Sequence, residues 1–193
     1  MAEDSSFRRH VAVLFVDISG FTRLVESVPP EEVYRTVRPV LDELSRVVQR
    51  HGGEIQQVLG DGFMAVFGLR PNAGDDNAGE AGGDKAGEAG GDEVGSAVRA
   101  ALAALRVSAQ LSVHVGVEYG EVLVTPSWEP GRFAVWGRVV NVGKRLCDLA
   151  AAGELQLGPM AFGRVAEQVS ATPSDPVTLK GLAGAIVAHR VVA

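Results

Sequence analysis

The sequence lacks long apolar runs and has almost no cysteine. No stretch approaches the ~20 apolar residues that a membrane-spanning helix needs, and the opening MAEDSSFRRH contains no apolar run of signal-peptide length. The single cysteine, Cys147, cannot form an internal disulfide, and its helix-forming neighbours favour a buried small side chain over a nucleophile. We therefore expect a cytoplasmic protein that does not interact with membranes.

An excess of positive charge is also missing. The 193 residues include 18 Lys and Arg against 24 Asp and Glu, and the formal net charge of -6 gives no general attraction for nucleic acid. Hydrophobic residues make up 46% and charged residues 22%, which is a globular composition. The chain is long enough to bury a real core, so we predict that residues 1–193 form a single domain.

The first part of the chain predicts a strand, a helix and a hairpin. The run VAVLFVDI, which begins at Val11, is typical of a strand buried on both faces, and it ends at Asp17. Apolar residues then recur at three- and four-residue spacing, as in a helix that begins near Pro30 and ends at a Gly-Gly pair. Pro39 should kink this helix or divide it in two. The segment EIQQVLGDGFMAVFG predicts two short strands with Asp61 at the turn between them.

The second part of the chain predicts further alternating helices and strands. At about 71–93 the heptapeptide AGEAGGD occurs twice and large apolar residues are scarce, which indicates a disordered Gly/Ala/acidic insertion. A helix is predicted over Val94–Arg106, followed by LSVHVGVEYG and EVLVTPS as the two strands of a hairpin and by a loop near 128–132. WGRVVNVGKRLCDLAAAG predicts a helix that closes at Gly153, and shorter elements complete the chain. This alternation implies a layered α/β domain.

Two aspartates are candidates for metal binding. Asp17 and Asp61 lie at a strand end and at a turn, each near glycine, and their carboxylates are the hard oxygen ligands that Mg²⁺ prefers. Glycine-rich turns also expose backbone amides that can bind phosphate oxygens. Alternatively, Asp17 caps the following turn and Asp61 only favours the hairpin. Spacing alone leaves both interpretations open.

Four segments of the chain resemble the signature blocks of one enzyme family. FVDISGFT, LGDGFMAVFG, VGVEYGEV and VWGRVVNVGKRL, in this order, are similar to blocks of class III adenylate and guanylate cyclases. The similarity runs from about Val11 to the C-terminus, and the closing VTLKG resembles the last phosphate-contacting strand of the family. The resemblance implies a ferredoxin-like βαββαβ core with a mostly antiparallel sheet flanked by helices. It also implies a head-to-tail homodimer whose active sites are shared between protomers.

The resemblance assigns roles to individual residues. Asp17, Asp61 and the backbone of Ile18 would hold two Mg²⁺ or Mn²⁺ ions per active site. Asn141 and Arg145, four residues apart on a predicted helix, would come from the partner protomer to orient the ribose and stabilise the transition state. The triphosphate of the nucleoside triphosphate substrate would be bound by Ser19, Gly20, Phe21, Thr22 and Lys180.

The base-specifying positions depart from the family pattern. Adenylate cyclases have a lysine and an aspartate at the positions of Gln57 and Ala134, and guanylate cyclases commonly have a glutamate and a small residue. A missing hydrogen-bond partner for the base typically costs about 1 to 3 kcal/mol of discrimination without affecting the metal chemistry. We therefore expect weak or relaxed base selectivity. His114 occupies a position where the family often has an arginine directed toward the phosphates.

Three functions are compatible with the sequence. The first is a nucleotide cyclase that converts ATP, with GTP as the second candidate substrate, to the cyclic 3',5'-monophosphate and pyrophosphate. The second is a degenerate cyclase-like domain that binds nucleotide or dimerises to regulate an attached output domain. The third is a cyclase for pyrimidine nucleotides, which rests only on the unusual pair Gln57 and Ala134.

Overall fold

The structure, a computed structural model, describes residues 6–69, 92–107, 111–127, 129, 131–181 and 184–191. Most of the insertion predicted at about 71–93 lies outside these residues, as does Trp128 of the predicted loop near 128–132. Glu93, at the edge of the predicted insertion, begins a helix, so the helix predicted over Val94–Arg106 is confirmed and is one residue longer at each end.

Five helices and ten strands make up the described part of the chain. The helices are α1 (Phe21–Ser27), α2 (Pro30–Arg50), α3 (Glu93–Val107), α4 (Arg138–Leu149) and α5 (Pro159–Val165). The strands are β1 (Phe7–Ile18), β2 (Glu54–Val58), β3 (Gly62–Phe67), β4 (Val113–Pro126), β5 (Phe133–Trp136), β6 (Leu155–Leu157), β7 (Ala171–Pro173), β8 (Val177–Thr178), β9 (Ala185–Ile186) and β10 (His189–Val191). None of the helices in the described ranges is long and apolar enough to cross a membrane.

One large sheet forms the centre of the molecule. Its strand order is β2-β3-β1-β4-β6-β10-β7, with β5 paired to β4, while β8 and β9 form a separate two-stranded sheet. Among the described strands only β4 and β6 pair in parallel, and all other pairs are antiparallel. The elements β1-α2-β2-β3-α3-β4, with the sheet order β2-β3-β1-β4, form a βαββαβ core. The predicted ferredoxin-like core and mostly antiparallel sheet are therefore confirmed.

Helices cover both faces of this sheet, and strand β1 separates the two layers. Alternate residues of a strand point to opposite faces, and Ala12, Leu14, Val16 and Ile18 of β1 join a core cluster with residues of α2, α3 and α5. Val11, Val13 and Phe15 instead join a cluster that includes Val139 of α4. By the same alternation, Asp17 lies on the α4 face of the sheet.

Strand β4 differs from the sequence-based expectation. The predicted hairpin between LSVHVGVEYG and EVLVTPS is wrong, because both segments belong to one continuous strand. This strand pairs with β1 over the whole length of β1, and the ladder continues past Gly120 without a turn. A Cβ atom at Gly120 would lie 3.4 Å from Cβ of Val139, so the glycine gives α4 space to approach the strand. The hairpin partner of β4 is β5, which was not predicted.

Helix α2 is not divided at Pro39, which was one of the two effects predicted for this proline. Its buried face, which includes Val37 and Leu44, continues through the proline to the last turn. Pro39 lies on the exposed side, where water can reach the Arg35 carbonyl that loses its helical donor. The packed face therefore keeps the helix continuous.

Candidate active site

The two candidate metal ligands meet where β1 ends beside the β2–β3 turn. The N–H of Ile18 donates to the Asp61 carbonyl oxygen at 3.1 Å and lies 3.2 Å from Oδ1 of Asp17. Asp17 pairs with Gly62 in the β1–β3 ladder, and a Cβ atom at Gly62 would lie 2.8 Å from Oδ1 of Asp17. The glycine therefore allows the close approach of the two segments. Asp61 lies in the turn of the β2–β3 hairpin, as predicted.

The electrostatics of this pair favour a bound cation. Burial, and then the negative charge of Asp17, raise the pKa of Asp61 above its usual value. Two interacting, partly buried carboxylates repel each other when both are ionised, and a divalent ion removes this cost. In the described ranges no group of three or more His, Cys, Asp or Glu side chains could hold a metal ion. Two carboxylates are nevertheless enough for Mg²⁺, which is usually bound through one or two carboxylates together with water and substrate phosphates, and Mn²⁺ prefers the same oxygen ligands.

The segment after β1 has the shape expected of a phosphate-binding turn. Gly20 has a φ of 77°, a left-handed conformation that favours glycine, and α1 begins at the next residue. The first N–H groups of a helix, here those of Phe21 and Thr22, have no intrahelical acceptor. The Ser19 N–H is already engaged, since it donates to the Ser112 carbonyl oxygen at 2.8 Å.

His114 lies beside this turn. It pairs with Asp17 in the β1–β4 ladder, and a hydrogen bond of 2.9 Å joins its Nδ1 to Oγ of Ser19. Burial lowers the pKa of His114 below its usual value, so its imidazole is neutral at pH 7. At this position the chain provides an uncharged hydrogen-bonding group next to the glycine turn.

Helix α4 contributes a cluster of charges next to Asp17. Nζ of Lys144 donates to Oδ2 of Asp17 at 3.2 Å and to Oδ1 of Asp148 at 2.7 Å. Arg145 donates to Oδ2 of the same Asp148 at 2.9 Å. Partial burial disfavours the Lys144 ammonium, but the hydrogen bonds to Asp148 and Asp17 outweigh it and raise the pKa of Lys144. Burial also acts against ionised Asp148, and the hydrogen bonds from Lys144 and Arg145 still lower its pKa.

The predicted catalytic pair occupies α4 but does not reach the carboxylates of the same chain. Asn141 is exposed in the first turn of the helix, and Arg145 is half-buried one turn later. Among the residues that the structure describes, neither side chain forms a hydrogen bond or ion pair with Asp17 or Asp61. Lys180, the predicted phosphate ligand, is exposed in the turn after β8.

The two base-specifying candidates lie on segments that are joined by an arginine. Gln57 is exposed on β2, and Ala134 is half-buried on β5. Nη2 of Arg132, just before β5, donates to the Ile55 carbonyl oxygen of β2 at 2.8 Å. A cavity of about 520 Å³ opens between these two segments, next to Gln57 and Ala134 in sequence. The β4–β5 hairpin is therefore held against β2.

Sequence reasoning missed Lys144, Asp148 and Arg132. The spacing of Lys144 and Asp148 on a predicted helix indicates a local ion pair, because residues i and i+4 are neighbours on a helix surface. No local signal connects Lys144 to Asp17, which lies 127 positions earlier in the chain.

Cys147 of α4 is fully buried, and burial raises its pKa to about 12, so the expectation of a buried small side chain is confirmed.

A ferredoxin-like core with paired aspartates beside a glycine turn defines a class of α+β domains suited to binding a nucleotide through metal ions. The family described as "Adenylate and Guanylate cyclase catalytic domain" matches residues 4–192. The chain therefore belongs to the adenylate and guanylate cyclase catalytic-domain family, whose members generally use divalent metal ions.

Individual relatives agree with this assignment. The chain is 26% identical over 155 residues to "Adenylate cyclase, germination specific" of Dictyostelium discoideum, a match that covers 79% of this chain and 17% of that protein. It is 31% identical over 159 residues to an uncharacterized protein of Mycobacterium tuberculosis, over 77% of this chain and 26% of that protein. The chain thus spans about a quarter or less of the length of these relatives.

Solved structures share the fold over nearly the whole chain. The adenylyl cyclase CyaB from P. aeruginosa has a TM-score of 0.79 with 22% identity, and the match covers 98% of this chain and 96% of that one. The guanylate cyclase domain of RhGC from Catenaria anguillulae, solved in complex with GTP, has a TM-score of 0.78 with 20% identity and covers 98% of each chain. At these identities the similarity shows the fold alone.

Proposed function

We propose that this domain is a nucleotide cyclase that converts ATP or GTP to the cyclic 3',5'-monophosphate and pyrophosphate, with weak base selectivity. The observation that carries the proposal is the juxtaposition of Asp17 and Asp61, where the Ile18 N–H joins the strand end to the hairpin turn at 3.1 Å. Family membership supports the reaction class, and the partly buried carboxylate pair supports the use of divalent ions.

The chain's own residues divide the work between binding and stabilisation. Asp17 and Asp61, with the Ile18 backbone, would hold two Mg²⁺ or Mn²⁺ ions, and bound ions would lower the pKa of the ribose 3'-hydroxyl and neutralise the charge of the pyrophosphate. The glycine turn and the start of α1 bind the triphosphate through backbone N–H groups, and Lys180 adds a positive charge.

Helix α4 supplies the second half of the proposed site. Arg145 donates two hydrogen bonds at once to phosphoryl oxygens whose charge grows during transfer, and Asn141 orients the ribose. Because neither residue reaches the carboxylates of its own chain, we propose that α4 acts on the site of a second protomer in a homodimer. The active sites then lie between the protomers, two per dimer.

The base preference is set by Gln57 and Ala134. The amide of Gln57 both donates and accepts hydrogen bonds, so it accommodates the edge of either purine. Ala134 offers no hydrogen bond to the base. The Arg132–Ile55 contact supports a joint role for both residues, because it holds their two segments together.

Four parallel reactions test the function. Purified protein is incubated with Mn²⁺ or Mg²⁺ and with ATP, GTP, CTP or UTP, and the cyclic product is measured by chromatography. We expect turnover of ATP and GTP. Turnover of only CTP or UTP would show a pyrimidine nucleotide cyclase. The absence of any cyclic product would refute the proposal that the domain is an enzyme.

A complementation experiment tests the shared site. Asp17→Ala and Arg145→Ala should each abolish activity, whereas Asp175→Ala, which removes an exposed carboxylate, should retain it. A mixture of the two inactive variants should recover part of the activity, since one of the two sites in a heterodimer keeps both intact halves. A mixture as inactive as its components would contradict the dimer.

One observation favours the second candidate, a degenerate domain that regulates an attached output domain. Lys144 forms an ion pair with Asp17, and Asp148 forms one with Arg145, so both Asp17 and Arg145 have charged partners within the chain. This function would be identified if the protein binds nucleotide and the same four reactions yield no cyclic product.

A further inference from the structure

Lys144 binds the carboxylate that the proposed function assigns to a metal ion. Its Nζ lies 3.2 Å from Oδ2 of Asp17 and 2.7 Å from Oδ1 of Asp148, so one ammonium group bridges two carboxylates. The Asp17 side chain is 21% exposed, which makes it the more buried of the two acceptors. Lys144 therefore supplies the positive charge that the Asp17–Asp61 pair requires.

The side chain of Lys144 can leave Asp17 without any movement of α4. Lysine carries a compact charge on a flexible four-carbon stem, so rotation of its terminal bonds is enough to move the ammonium group. Asp148 is already its closer partner, at the i+4 position of the same helix. Displacement from Asp17 therefore leaves the ammonium group paired and needs no new acceptor.

We infer that Lys144 is a tethered cation that competes with the divalent metal ion for Asp17, and that Asp148 is the carboxylate that keeps the ammonium group when the ion displaces it. The inference rests on the metal role of Asp17 in the proposed function. Lys144 is then a positioning residue that sets the metal concentration at which the site fills.

Metal affinity, measured without nucleotide, tests this directly. Mn²⁺ is titrated into the full chain, and the electron paramagnetic resonance signal of free Mn²⁺ gives the dissociation constant. Lys144→Met keeps the aliphatic stem and removes the charge. We expect it to bind Mn²⁺ about two- to fivefold more tightly, a range typical of a partly exposed ion pair. Unchanged or weaker binding would overturn the inference.

A first control variant separates the local effect of the Lys144 charge on metal affinity from a general effect of net charge. Arg8→Met removes the same charge from an exposed ion pair on β1, roughly 30 Å along the strand from Asp17, and should leave the affinity unchanged. A tightening equal to that of Lys144→Met would show only a net-charge effect and would overturn the inference.

Asp17→Asn tests whether Asp17 binds the metal ion at all, separately from whether Lys144 competes for it. This variant should weaken Mn²⁺ binding at least tenfold. An unchanged affinity would remove Asp17 from the metal site and overturn the proposed metal role together with the inference. Weakening by Asp17→Asn with no effect of Lys144→Met overturns the inference alone.

The role of Asp148 is tested with a double variant. Asp148→Asn leaves Asp17 as the only charged partner of Lys144, so Mn²⁺ should bind about threefold more weakly. In the Lys144→Met, Asp148→Asn double variant this weakening should disappear. If it persists without Lys144, Asp148 acts on the metal through its own charge and the acceptor role is refuted. Thermal unfolding of each variant confirms that the fold is intact.

Discussion

The contact between β4 and α4 provides a sharp test of the structure. A Cβ atom at Gly116 of β4 would lie 2.6 Å from the Gly143 carbonyl oxygen and 2.9 Å from Cα of Cys147, and closer still to the Cys147 nitrogen. All three atoms belong to the backbone of α4, so no side chain can rotate away. Ordinary contacts need roughly 3.5 Å, so Gly116→Ala must push α4 about 1 Å from the sheet.

Displacement of α4 by Gly116→Ala should lower both the stability and the activity of the protein. Overpacking of this kind destabilises a protein by about 1 to 3 kcal/mol, which for a chain of this size lowers Tm by about 2 to 12 °C. Because α4 carries Asn141 and Arg145, a misplacement of about 1 Å should also reduce cyclase activity, on the order of a hundredfold.

Differential scanning calorimetry and the cyclase assay measure the two effects. The matched control is Gly163→Ala in α5, where an added Cβ has no neighbour within 4 Å. It should leave Tm unchanged or raise it, since alanine favours a helix by up to about 1 kcal/mol over glycine. If Gly116→Ala melts within about 1 °C of the parent protein, the close packing of α4 on β4 is refuted.

Two further predictions concern buried titratable groups. Burial raises the pKa of Glu118 above its ordinary 4.5. The protonated Glu118 therefore stabilises the folded protein at low pH, and this contribution is lost as the pH rises from about 4.5 through the raised pKa. Glu118→Gln retains an oxygen that accepts from the Tyr119 and Ala161 N–H groups but does not titrate. The free energy of unfolding is measured with urea for the parent protein and for this variant, and the parent value minus the variant value should fall over this pH range. Parallel curves would contradict this. Cys147, with its pKa raised to about 12, should not react with a disulfide reagent until the protein unfolds, as absorbance would show, and rapid native labelling would contradict its burial.

Local sequence patterns predicted much of the fold. The apolar run from Val11 to Val16 indicated a strand buried on both faces, and the Gly-Asp-Gly turn around Asp61 indicated the hairpin, because both signals depend on neighbouring residues. The apolar face of α2 was equally clear. The family resemblance added the order of the core, which the topology confirms.

The features that sequence did not predict depend on distant partners. The continuity of β4 past Gly120 follows from its pairing with β1, and a glycine in an isolated segment indicates a turn equally well. The contact of Arg132 with Ile55 spans 77 positions, and that of Lys144 with Asp17 spans 127. Such contacts arise only when the layers pack, so the charges around the candidate site could not be read from spacing along the chain.

Strand β1 is apolar on both of its faces, and this has a consequence for how the domain can change in evolution or in engineering. Alternating polarity, which normally fixes the register of a strand, is absent from Val11 to Val16. Shape has to fix it instead, since Gly143 of α4 leaves space for Phe15, whose ring lies 3.2 Å from where a Cβ atom would be. A one-residue insertion here would keep the hydrophobicity of the strand and still turn Asp17 into the opposite layer. Strand β1 therefore has to keep its residue count.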